Sequence, residues 1–146
     1  MPTIDFYVIS DAAPDAHLRY ACRLAEQAVD AGQRVFIRAT RTDDAKRIDD
    51  LLWAFDDHTF LPHEIATPTS PNQSPSHPLV RILIGKEPPD NFRDLLINLS
   101  ADTPIDIASL PRIAELVPAD PERKRLAREH FKQYRERGVE PTTHNV

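Results

Sequence analysis

The start of the chain commits it to a parallel sheet. Residues 3–9 (TIDFYVI) are rich in β-branched and aromatic side chains, the composition of a strand. The turn-forming stretch SDAAPDA follows. Between Ala16 and Ala31 the residues Leu18, Ala21, Cys22, Ala25, Ala28 and Val29 then recur at helical spacing. Gly32 stops that helix, and RVFIRA at 34–39 supplies a second strand. Strands joined in this way lie parallel, because a parallel pair needs a crossover connection, and the crossover is nearly always right-handed.

The rest of the chain extends this unit. A second helix is expected from near Thr42, with Ile48, Leu51, Leu52 and Phe55 as its apolar stripe and Asp43 and Asp44 at its positive N-terminal end. Residues 62–78, above all ATPTSPNQSPSHP, read as a loop. VRILIG, LLINLS at 95–100 and RIAELV at 112–117 read as strands, RIAELV being the last, and IDIASL as a short helix. Asp120 and Pro121 mark the cap and first turn of a closing helix. The unbroken apolar runs VFI, ILI and LLINL favour strands buried on both faces. Roughly five strands with three or more helices imply a three-layer α/β/α domain with a mostly parallel, Rossmann-like central sheet. The chain's 146 residues fit a single domain, 1–146, with a variable proline-rich loop near 67–78 and a basic helix near 121–138.

Folds of this class often bind nucleotides at the carboxyl ends of their strands, but the equipment is missing here. SDAAPDA carries no glycine, and IGKEPP lacks the other residues of a phosphate loop. With glycine only at 32, 85 and 138, no glycine-built cradle is expected. His58 and His63 do not have the spacing of a metal pair; Asp56 and Asp57 beside them leave an acid-base or metal reading open against simple helix termination. Cys22, the single cysteine, reads as a small buried hydrophobe. Asp5 fits an exposed strand face or edge, and Ser10 and Asp11 fit a turn. No nucleophile, base and orienting group come together, so no catalytic, cofactor or metal residue is assigned. Apolar runs are far below a membrane span and no secretory signal is visible, which points to the cytoplasm.

Charge and aromatic content point to partners instead. A net charge of −5 opposes broad DNA binding, yet residues 122–137 concentrate cations. Lys124, Arg128, Lys132 and Arg135 return every three or four positions beside Leu126, Ala127, His130, Phe131 and Tyr134. That arrangement is either a solvated helix face or a surface for an acidic peptide or single-stranded nucleic acid. In LLWAFDDHTFLPH (51–63), Trp53 stands off the helical stripe and Phe60 follows an acidic turn; both suit either a sheet-edge cover or a protein interface.

Taken in order, FYVI (6–9), CRLAEQAVDAGQRVFI (22–37), LLWAF with TFLPH (51–63), DLLINL (94–99) and LAREHFKQYRERG (126–138) resemble the chi-subunit family of bacterial DNA polymerase III. The resemblance implies a noncatalytic accessory protein of the clamp-loader assembly, working at the replisome with no cofactor. It would join the psi subunit to the acidic, aromatic-ended C-terminal tail of single-stranded DNA-binding protein, and so associate with DNA indirectly. It implies psi contacts at Trp53 and Phe60, supported by His63. It implies tail recognition at Lys124, Arg128 and Lys132, with Phe131 at a family aromatic position that is often tyrosine. Tyr134 and Arg135 match the following element. The readings left against it are a nucleotide- or single-stranded-nucleic-acid-binding protein and a small metal- or nucleotide-dependent enzyme.

Overall fold

The computed structural model describes residues 3–11, 13, 15–39, 42–54, 63–65, 81–86, 92–99 and 110–146. In chain order these form β1 (Thr3–Val8), α1 (Ala16–Asp30), β2 (Val35–Arg38), α2 (Thr42–Ala54), β3 (His63–Ile65), β4 (Ile82–Gly85), β5 (Leu95–Asn98), β6 (Arg112–Val117), α3 (Pro121–Glu136) and β7 (Thr142–Asn145). The strands make one sheet in the order β3-β4-β2-β5-β6-β1-β7, and every neighbouring pair is parallel.

The pleat sorts side chains to two faces, because successive residues of a strand point in opposite directions. Tyr7, Val35, Ile37, Ile84, Ile97, Ala114 and Leu116 pack with Leu18, Cys22 and Ala25 of α1 and Ile48 and Leu52 of α2. Ile4, Phe6, Phe36, Leu83, Leu96 and Ile113 pack on the other side with Tyr134 of α3. Helices on both faces explain why β2, β4 and β5 are buried at every position. The three-layer α/β/α architecture with a parallel central sheet is therefore as the sequence implied.

Several expectations need correction. The sheet has seven strands among the described residues, not five. Part of the expected loop at 62–78 is the edge strand β3, and RIAELV is followed by β7. Asp5 is not at an edge, since β1 lies between β6 and β7; its carboxylate is 3.0 Å from His144 Nε2 and 3.9 Å from Arg112 Nε. Ser10 and Asp11 serve the turn after β1. Ser10 Oγ donates to the Val146 carbonyl at 2.9 Å, and Asp11 Oδ1 accepts from the Ala13 amide at 2.9 Å. Phe55 and residues 105–109 of IDIASL lie outside the described residues.

Cys22 is fully buried on α1, and desolvation pushes its thiol up to about 12. A folded thiol that keeps its proton to about pH 12 contributes stability that is complete below the unfolded thiol's value and is lost as pH rises through the folded one. Urea midpoints should therefore fall as pH is raised from about 8.5, the ordinary thiol value. A Cys22→Ala variant should show a shallower fall. An aromatic disulfide reagent at neutral pH should label Cys22 only after unfolding.

Candidate functional site

The closing helix starts and stops where its chemistry requires. Asp120 caps it, accepting from the Arg123 amide at 3.0 Å, and Pro121 occupies the first turn, where its missing N–H costs nothing. At the other end Gly138 adopts φ 86°. Its amide donates to Arg135 O at 3.0 Å and the Val139 amide donates to Tyr134 O at 3.1 Å, the paired bonds of a Schellman stop.

The inner side of α3 is fastened to a polar row across the sheet. Arg38, Asn98 and Glu115 are register partners on β2, β5 and β6, and all three are buried. Arg38 Nη1 donates to Asn98 Oδ1 at 3.3 Å, and Asn98 Nδ2 donates to Glu115 Oε1 at 2.9 Å. The same Glu115 oxygen accepts from the Tyr134 hydroxyl at 2.5 Å, and Glu115 Oε2 is 3.3 Å from His130 Nδ1. Burial first, and then the Glu115 charge, hold the Tyr134 phenol well above its ordinary value. His130 and Tyr134 thus belong to the core. Arg123 adds a bond from Nη2 to the Leu99 carbonyl at 3.0 Å.

The adjoining flank of α3 overhangs a cavity of about 300 Å³. Phe6 and Val8 of β1 and Val117 of β6 line it from the sheet, Ala127 and Phe131 from the helix, and Thr143 from β7; Lys124 and Arg128 complete the lining. Phe131 is half-buried and tilted against Phe6, with ring centroids 5.5 Å apart. Lys124, Arg128 and Lys132 are exposed, and among the described residues no carboxylate pairs with them. Other cations of the helix are engaged. Arg125 binds Glu122 at 2.5 Å and Glu129 at 2.7 Å, and this pairing holds the Glu122 carboxyl below the usual carboxylate range. Arg135 is 3.3 Å from Glu140.

Of the residues singled out on this helix, the structure brings Lys124, Arg128 and Phe131 around one cavity. Lys132 lies on the same helix but outside the lining. Sequence reasoning missed Phe6, Val8, Val117 and Thr143. Phe6 and Val8 carry the period-2 signal of one strand face, but nothing local joins them to a helix more than a hundred residues away. On the remaining candidate surface, Trp53 falls in the last turn of α2 and His63 opens β3, paired with Ile82. The side chains of Trp53 and His63, and Phe60 altogether, lie outside the described residues, as do Asp56, Asp57 and His58.

The cavity can take an apolar or aromatic group while two cations hold adjacent carboxylates. Among the described residues no three His, Cys, Asp or Glu side chains group to hold a metal, and no helix is long and apolar enough to cross a membrane.

Comparison with known proteins agrees in scale. The family model described as DNA polymerase III chi subunit, HolC, matches residues 1–142. A protein named DNA polymerase III subunit chi from Pseudomonas aeruginosa is 38% identical over 146 residues, covering 100% of this chain and 98% of that one. One of the same name from Haemophilus influenzae is 33% identical over 144 residues, with 99% and 97% covered. Another from Escherichia coli is 29% identical over 147 residues, with 98% and 97% covered.

Proposed function

The chain belongs to the DNA polymerase III chi-subunit family, and on that premise we propose that it is a noncatalytic accessory subunit of the clamp-loader assembly. It joins the psi subunit to the acidic, aromatic-ended C-terminal tail of single-stranded DNA-binding protein during DNA replication. Lys124, Arg128 and Phe131 receive the tail, with Lys132 as a peripheral charge. Trp53 and Phe60 anchor psi, with His63 in support. The protein works in the cytoplasm at the replisome and reaches DNA through its partners.

The observation that carries this reading is the pairing of Lys124 and Arg128, which no carboxylate among the described residues neutralises, with an apolar cavity beside Phe131. An acidic peptide with an aromatic end matches both halves. A net charge of −5 opposes broad DNA binding by the chain as a whole.

The test is capture of psi and of single-stranded DNA-binding protein by the intact chain. Full-length single-stranded DNA-binding protein should be retained and its tail-deleted form lost, with psi retained in both cases. Replacing Trp53 and Phe60 together by alanine should abolish psi capture while leaving tail binding intact. Retention of the tail-deleted form in proportion to bound single-stranded DNA would support the nucleic-acid reading instead, and psi capture by the double variant would reject the anchor assignment.

A further inference from the structure

The exposed edge of the sheet runs beside the cavity. β7 is the terminal strand, and Thr142, Thr143 and Asn145 are exposed. The direction of its backbone groups follows from the ladder. The Val146 amide donates to Val8 O at 3.0 Å, and the Ser10 amide donates to Val146 O at 3.1 Å, so Val146 faces β1 with both groups. Alternation then turns Thr142 and His144 toward β1, and the amide and carbonyl of Thr143 and Asn145 toward solvent. Thr143 therefore lines the cavity with its side chain, and its backbone amide and carbonyl have no partner among the described residues.

Among the described residues no strand pairs with the outer side of β7. His144 stacks on Tyr7 with centroids 5.0 Å apart and lies 3.0 Å from Asp5 Oδ1, fixing β7 from the opposite face. The strand sequence TTHN holds none of the lysines or prolines that commonly blunt an open edge. A rigid edge lowers the ordering cost of adding a strand.

We propose that the acidic tail binds by strand addition. Resting on the tail-binding reading above, the geometry has the tail extended along β7 as an eighth strand, bonded to the backbone of Thr143 and Asn145. Its apolar end sits in the cavity and its carboxylates meet Lys124 and Arg128. Sequence selectivity comes from the cavity and the cations, and the backbone bonds set the register.

The experiment is a scan of tail peptides, each carrying one N-methylated amide, titrated against the full chain by calorimetry. Strand addition expects an alternating pattern: methylation at every second amide weakens binding by about tenfold, the size of a lost, unreplaced hydrogen bond, and the intervening positions are tolerated. On the protein side, Thr143→Pro should weaken binding to a similar degree, since proline at an outward-facing edge position removes a donor the fold does not use. Normal affinity for the unmodified peptide with no alternation across the scan would overturn strand addition while leaving the tail-binding reading intact. Failure of the unmodified peptide to bind would overturn that reading, and this proposal with it. The peptide scan uses the wild-type chain, so its outcome decides the matter even if Thr143→Pro misfolds.

Discussion

Replacing Glu115 by alanine is expected to lower the free energy of unfolding by about 3–5 kcal/mol, the cost of removing one partner from a buried charged network. Glu115 is 3% exposed and is the common acceptor for Tyr134 and Asn98, with His130 against its second oxygen. The alanine leaves those groups around an uncharged gap in a region where water cannot replace the lost bonds. In a chain of this size the melting temperature should drop by roughly 10 °C. Glu115→Gln keeps an acceptor for Tyr134 and should lose less. Tyr134→Phe removes one bond and leaves the carboxylate its other contacts, so it should cost about 1–2 kcal/mol. Urea unfolding of the three variants checks the order; equal losses for all three would show that the row is not held together by Glu115. Because His130 and Tyr134 place α3, the alanine variant should also bind the tail more weakly at temperatures where it is still folded.

Arg128→Glu is expected to weaken tail-peptide binding by about 10–100-fold at low salt, since it replaces an attraction with a like-charge contact. Arg128 is exposed, so its reversal should move stability by no more than about 0.5 kcal/mol. The gap between wild type and variant should narrow as salt rises and screens both the attraction and the repulsion. Lys132→Glu serves as a graded control. It lies outside the cavity lining and should cost several-fold less than Arg128→Glu. A folded Arg128→Glu chain with unchanged affinity at low salt would remove Arg128 from the site.

How much of this was legible depended on whether the determinants are local. The β-α-β opening was readable because helix periodicity and a glycine stop are written in adjacent residues, and Gly32 does sit at φ 82° just past α1. The cap at Asp120 was readable for the same reason. β7 was not, because TTHN has no apolar alternation; its place is settled by pairing with β1, at the other end of the chain. Missing β7 also left Asp5 on an exposed strand face or at an edge, where the structure has it between β6 and β7. β3 is only three residues long and sits among turn-forming residues. The cations of α3 could be seen from their spacing, but which of them are neutralised could not. Arg125 and Arg128 look equivalent in sequence, and only the contacts separate the one tied to Glu122 and Glu129 from the one with no carboxylate partner among the described residues. The Glu115 row announced itself faintly, as single polar residues within or closing otherwise apolar strands.

The strand order has a thermodynamic consequence for a bridging protein. β3, which the proposed psi residue His63 opens, and β7, which contributes Thr143 to the proposed tail cavity, are the two ends of the sheet among the described residues. Six inter-strand spacings of about 4.8 Å put them roughly 29 Å apart. Sites that far apart with no shared residues are additive, so filling one should leave the dissociation constant of the other unchanged. Such an adaptor assembles in either order, and psi affinity should be the same with and without saturating tail peptide.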